Sequence, residues 1–290
     1  MSAQHQTSDV RCSEASERAG EPIGATATAA ECWLLVEVPG SWPRDVSDGS
    51  GLPPRAQAAV RAWLETTPLS RLQFVRRPGR GRPGRLLAFL VRASEANAEV
   101  RRLELGGGLD ELDPSDPSRW ADSCDARLVL VCGHGTRDAC CALRGTAVYT
   151  ALVPHLGRDE LWVSSHQGGH RFAPNVLVLP AGIHLGRVGA DEAPGLVARA
   201  LAGRVDLARY RGRTAYPQNV QAAERAVRDA TGLDWTRDLR LLDVDGERVR
   251  FRGADGKEHT ALVESALGPV VPASCGAEPE PQSVLTARVL

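Results

Sequence analysis

Apolar residues fall along this chain in short runs, and most runs are closed by glycine or proline. Residues 33–38 (WLLVEV) form one such run, ended by Pro39-Gly40, and predict a buried strand. Helical spacing follows over 55–66, then strands over 72–75 and 86–91 on either side of an Arg/Gly/Pro loop, then a helix over 94–103. The order then recurs: a strand over 127–131, a helix over 142–153, a strand over 161–164, a loop to Pro174 and a strand over 175–179. A Pro180-Ala181-Gly182 turn leads into 183–188, and 192–202 reads as a helix. The halves also share local text, LLVEVPGSWPRD at 34–45 against LVLVCGHGTRD at 128–138. The loops within FVRRPGRGRPGRLLAFLV and WVSSHQGGHRFAPNVLVL fall at the same place in each half. The pattern predicts an α/β fold with an internal duplication of a βαββ-type unit, of which only the second copy carries Cys and His at its loops.

Past Arg211 the pattern changes. Residues 217–231 read as a helix with Pro at its start and Gly232 at its end, followed by three strands joined at two Asp-Gly turns. A winged helix has this order, but the segment holds nearly as many acids as bases, which favours a small appendage packed on the main domain. Residues 1–30 are polar and read as a mostly irregular lead-in, and 276–290, opening with GAEPEPQ, as a disordered tail. The expected organisation is therefore a lead-in (1–30), an α/β half without ligands (31–120), an α/β half with them (121–210), the appendage (211–275) and the tail.

Composition narrows the function classes. Of 290 residues, 42% are hydrophobic and 24% charged, with a net charge of -1, so bulk charge gives no support to a nucleic-acid or membrane-surface role. The apolar runs are strand length, far short of the roughly 20 residues of a membrane helix. The polar N-terminus lacks an apolar signal region. Seven cysteines, an odd number with three between 132 and 141, do not suit a secreted disulfide framework, so a reducing cytoplasm is expected. Lys257 is the only lysine among 35 basic residues, which lowers the weight any single arginine carries.

Candidate chemistry sits on two loops that leave adjacent strands. The first runs Cys132-Gly-His134-Gly-Thr-Arg137-Asp138-Ala-Cys140-Cys141, and the second His166-Gln-Gly-Gly-His170-Arg171. Glycines let a backbone turn tightly and let a ligand come close. Two thiolates and two imidazoles suit zinc or an iron–sulfur centre. Structural zinc sites favour cysteines two to four apart, whereas Cys132 and Cys141 enclose a wider loop, better suited to a two-iron cluster. Either Cys140 or Cys141 could reach the metal.

CGHGTRDACC together with SSHQGGHRFAPNVLVLPAG closely resembles the sucrase/ferredoxin-like family, and the stretches CSEASERAGEPIGATATAAECWLLVEVPG and YRGRTAYPQNVQAAE are similar to its bacterial members. The resemblance implies a thioredoxin-like ferredoxin fold, with a degenerate N-terminal copy if the duplication holds. It also implies a [2Fe–2S] cluster with Cys132 and Cys141 on one iron and His166 and His170 on the other. A family cysteine three residues after the Arg-Asp pair selects Cys141. His134, Arg137, Asp138, Cys140 and Arg171 become candidates for orienting ligands or meeting a partner. The sucrase half of the family name finds no support, since no pair of catalytic carboxylates stands out.

Such a ligand set implies an electron-transfer protein rather than a catalyst in its own right. Neutral imidazoles remove thiolate charge, so the expected potential is intermediate to high, toward the ~-150 to +300 mV of His-ligated centres rather than about -400 mV. The imidazole nitrogen away from iron can titrate, which links electron to proton transfer. The expected partner is a redox protein, a reductase or an acceptor, with the arginine-rich loop 76–85 as one docking candidate. The competing readings are a structural zinc module on the same four residues and a cluster-free thiol oxidoreductase using Cys140-Cys141.

Overall fold

In the computed structural model, which describes residues 11–78 and 85–290, the apolar runs become the inner strands of a mixed sheet. β1 (Cys32–Glu37), β2 (Ser70–Arg76), β3 (Leu86–Ala93) and β4 (Ala98–Leu105) form one part. β5 (Leu128–Cys132), β6 (Leu161–Ser164), β7 (Val176–Leu179), β8 (Ile183–Leu185) and β9 (Tyr210–Arg213) form the other. The nine strands lie in the order β4-β3-β1-β2-β6-β5-β7-β8-β9. β1 is parallel to β2 and antiparallel to β3, which turns back into β4. β5 is likewise parallel to β6 and antiparallel to β7, which turns back into β8. The same order and sense of pairing thus occurs on both sides of a narrow seam, where β2 meets β6 antiparallel at Val75↔Ser164 and Arg76↔Val163.

Parallel neighbours need a crossover, and α2 (Pro54–Thr66) and α3 (Ala139–Leu152) supply one in each part. With α4 (Ala193–Leu201), these helices cover one face of the sheet: Val60, Trp63, Tyr149, Leu152 and Val197 pack there with Leu34, Val36, Val129 and Val131. The alternate strand residues, among them Trp33, Leu35, Phe89, Leu130, Trp162 and Leu177, form a second buried cluster on the other face. Phe89 and Trp162 sit three strands apart, a span of about 14 Å in a flat sheet, yet their rings touch at 5.7 Å. The sheet therefore curls over this face and fills it with its own side chains.

α5 (Gln218–Thr231) packs Val220, Ala223 and Val227 against a second sheet of β10 (Leu239–Asp245), β11 (Arg248–Gly253), β12 (Glu258–Pro272) and β13 (Pro279–Val289). The long β12–β13 hairpin brings its turn back to α1 (Cys12–Arg18), close to the start of α3. Among the described residues no helix is long and apolar enough to cross a membrane.

Four expectations change. Residues 94–103, expected as a helix, instead hold most of β4, because β3 offers an edge that pairs from Leu86↔Leu105 to Ala93↔Ala98. The tail beyond 275 is ordered: β13 pairs with β12 from Ala261↔Val289 to Pro272↔Pro279, and Leu285, Ala287 and Val289 pack against the cluster of α5 and the second sheet. The lead-in contains α1, whose Cys12, Ser13 and Ser16 are buried; Ser16 Oγ donates to Glu21 at 2.6 Å, so polar residues form the packed face. β9 spans the boundary read at residue 210 and continues the main sheet.

Candidate metal centre

β5 delivers Cys132 to the end of a fully buried strand, and the loop after it ends at Asp138, which caps α3 by accepting from Cys140 N at 2.8 Å. The helix can lie this close to the strand because residue 145 is glycine: a Cβ there would sit 2.2 Å from the Cys132 carbonyl oxygen. Across the parallel pair, β6 ends at Ser164 and the chain enters the second loop. Gly169, at φ 66°, turns that loop into the 3₁₀ turn His170–Phe172, and a Cβ on it would meet Arg211 Nη2 at 2.5 Å.

These elements bring Cys132 Sγ, Cys141 Sγ and a ring nitrogen of His166 within 4.8 Å of one another. His170 lies outside that tight group, but its ring stacks on His166 at 4.3 Å with 24° between the planes. Nδ1 of His166 and Nδ1 of His170 are both buried and without a hydrogen-bond partner. A buried polar atom left unpaired costs about 1–3 kcal/mol, and a metal ion is the partner that suits two imidazole nitrogens beside two thiols. The Cys132 thiol is drawn well below its usual range by the hydrogen bond from Cys141, then by His166 and the Gln167 amide, against burial. Cys141 is pushed well above it, so one thiolate is already favoured between the two sulfurs. Burial, followed by the charge of His166, pushes His170 down to about 4, which keeps it the neutral base a metal needs.

The frame around His166 is dense. Its backbone N–H donates to His134 Nδ1 at 3.1 Å, which makes the other ring nitrogen the donor to the Pro43 carbonyl at 2.8 Å. Its carbonyl accepts from Arg71 Nη2 at 3.1 Å and from Gln73 Nε2 at 3.2 Å, both on β2. Arg211, fully buried on β9, donates to the Gly168 carbonyl at 2.9 Å, to Asn175 Oδ1 at 2.9 Å, to His184 Nε2 at 3.2 Å and to Thr26. Arg71, Gln73, Asn175 and Arg211 were not among the candidates drawn from sequence. The usable signal was Gln73 inside the apolar run LQFV; Arg211, in the strand YRGR, carried no such mark.

The other candidates go different ways. His134 touches the site through His166. Arg137 faces Asp45 at 3.9 Å at the rim, while Arg171 pairs with Glu21 at 2.7 Å and lies over Phe172. Cys140 turns away from Cys132: its sulfur lies 3.7 Å from Cys12 and 3.3 Å from Cys275, with Asp138 alongside. Cys140 is pulled down to about 5, first by the hydrogen bond from Cys12, while Cys12 and Cys275 are pushed up. The vicinal pair Cys140-Cys141 is thus divided between two clusters. A cavity of about 350 Å³ opens beside His166, lined by Arg44, Asp45, Arg71, His134 and Arg137. In the arginine-rich loop, Arg76 stacks on Trp42, buried Arg77 is held by Glu37 and Asp159, and Arg85 pairs with Glu104. Residues 79–84 of that loop lie outside the described residues.

Over 101 residues the chain is 35% identical to the protein named Altered inheritance of mitochondria protein 32 in Eremothecium gossypii, a match covering 34% of this chain and 31% of that protein. The protein of the same name in Meyerozyma guilliermondii is 32% identical over 79 residues, 24% of this chain and 28% of that one. The chain therefore spans less than a third of the length of these relatives. No solved structure matches it. The family described as sucrase/ferredoxin-like matches residues 23–212, which hold both loops of the site. The chain belongs to the sucrase/ferredoxin-like family.

Proposed function

We propose that the chain is a one-electron carrier that holds a [2Fe–2S] cluster by Cys132, Cys141, His166 and His170. The observation that carries the reading is the buried grouping of two thiols and an imidazole, with a second imidazole stacked on it and both Nδ1 atoms without a partner. A cluster bound there supplies a one-electron couple. The protein's own part is to fix the ligands: Asp138 and Gly145 set Cys141 against Cys132, while His134, Arg71, Gln73 and Arg211 hold the histidine loop. Cys132 and Cys141 are fully buried, which keeps water from the cysteine side. The arginine-lined cavity beside His166 suits an acidic redox partner.

Zinc on the same residues is the second reading, favoured by how compact the Cys132–Cys141–His166 group is. Anaerobic purification with iron, sulfide and zinc quantified beside an absorption spectrum decides between them. A brown protein with equal iron and sulfide supports the carrier. A colourless protein whose zinc is lost on replacing Cys132 supports the structural ion and ends the electron-transfer reading.

A further inference from the structure

We propose that Cys12, Cys140 and Cys275, with Asp138, form a second metal site, a closed seat for a zinc-class divalent cation separate from the Cys132 centre. The four residues come from three distant parts of the chain: α1, the first turn of α3 and the turn of the β12–β13 hairpin. Cys12 and Cys275 lie outside residues 23–212, the stretch the family model matches, while Asp138 and Cys140 lie inside it. One ligand atom from each of the four residues lies within 4.8 Å of the other three.

The separations fit one ion. The sulfurs are 3.7 Å apart for Cys12–Cys140, 3.3 Å for Cys140–Cys275 and 3.6 Å for Cys275–Cys12. With Zn–S near ~2.3 Å, a tetrahedral ion sets its sulfur ligands about 3.8 Å apart. A carboxylate ligand would sit about 3.5 Å from each sulfur on the same geometry. Asp138 Oδ1 is 3.4 Å from the Cys275 sulfur and 4.0 Å from that of Cys12. A disulfide needs about 2.05 Å, and three thiols cannot all pair. Asp138 is held in place by N–H groups of Cys140 and Cys275, at 2.8 and 2.9 Å, and a carboxylate keeps acceptor capacity beyond two such bonds. Ser13 Oγ donates to Cys140 Sγ at 3.2 Å, the kind of outer hydrogen bond that steadies a thiolate ligand.

Cys12 and Cys140 are fully buried, and half-buried Cys275 gives the ion its way in. On binding, Cys12 and Cys275 release their protons to solvent, and three thiolates with one carboxylate close the coordination sphere. No position stays open for substrate, so the ion is a clip. It ties α1 and the hairpin turn to the helix that presents Cys141. Successive helical residues point about 100° apart, which lets Cys140 and Cys141 serve different centres.

The test is metal analysis of the full-length chain purified anaerobically with zinc in the medium, as wild type, C12S, C275S and C132S. The expected result is about one zinc per wild-type chain. It falls more than tenfold in C12S and C275S while iron and visible absorbance stay, and it stays in C132S. Zinc retained in C12S and C275S but lost in C132S overturns the proposal, because the ion then sits at the other centre. So does a wild-type chain with free Cys12, Cys140 and Cys275 and no zinc, or with Cys140 and Cys275 found as a disulfide by mass mapping. If C12S and C275S do not fold, the wild-type chain decides. Cysteine alkylation mapped before and after chelation should label Cys12, Cys140 and Cys275 as zinc is released, and labelling that is already complete before chelation overturns the site.

Discussion

Cys140 and Cys141 are chain neighbours with different surroundings, and substituting them one at a time separates their roles. Cys141→Ala removes a sulfur that faces Cys132 and His166, and no other thiol can take its place without moving the loop. If the proposed cluster is bound, its visible spectrum should be lost in Cys141→Ala and largely kept in Cys140→Ala. The reverse result would shift the ligand assignment by one residue. Another residue-scale consequence concerns His184, whose imidazole is held well below its usual pKa by burial first and then by Arg211. The guanidinium donates to His184 Nε2, so a proton on that nitrogen would face a cation. The depressed value means that unfolded chains bind the extra proton first. The contribution is neutral above about pH 6.5, the ordinary histidine value, and stability falls as pH drops below it. One proton corresponds to a slope of at most about 1.4 kcal/mol per pH unit. Chemical denaturation between pH 7.5 and about 5 should show a shallower loss for His184→Gln, which keeps an acceptor for Arg211. Equal slopes would mean that His184 is not the group responsible.

At the scale of elements, the approach of α3 to β5 depends on Gly145. Gly145→Ala places a methyl 2.2 Å from a backbone carbonyl, where only movement of the helix relieves the clash. Overpacking of this kind costs about 1–3 kcal/mol. Here it also draws Cys141 away from Cys132, so iron content should fall together with the melting temperature. A variant that melts earlier but keeps full iron would show that the loop, not the helix, sets the sulfur position. Much of this architecture was legible beforehand, since β1, β5, β6 and β7 are apolar runs bounded by turn residues. What escaped has a common cause. β4 and β13 exist because a neighbouring strand offers an edge, and such pairing leaves little trace in a sequence whose residues favour helix or turn. Of the four residues first singled out, Cys132 ends β5, Cys141 lies in the first turn of α3, and His166 and His170 follow β6. Arg71, Gln73 and Arg211 escaped because their value lies in what they touch across the sheet.

For the whole molecule, a net charge of -1 hides a local basic rim. Arg44, Arg71 and Arg137 line the cavity beside His166, with Asp45 the acidic residue among them. On the proposed function, replacing Arg44 and Arg137 by Gln should slow electron exchange with an acidic partner at low salt and matter little at high salt, because exposed charges are screened beyond about 10 Å at 0.1 M. Stopped-flow rates across a salt series measure this, and rates unchanged at low salt would move the docking face elsewhere. The seam between β2 and β6 has a different kind of consequence. It joins the two parts of the main sheet by only two residue pairs, yet Arg71 and Gln73 reach over it to hold the His166 carbonyl. A chimera whose first part had the same strand order from another source would restore the ladder but not those two donors. The part without ligands is therefore not interchangeable: changes at positions 71 and 73 would have to be matched by the loop at 166, so the two parts cannot drift apart independently.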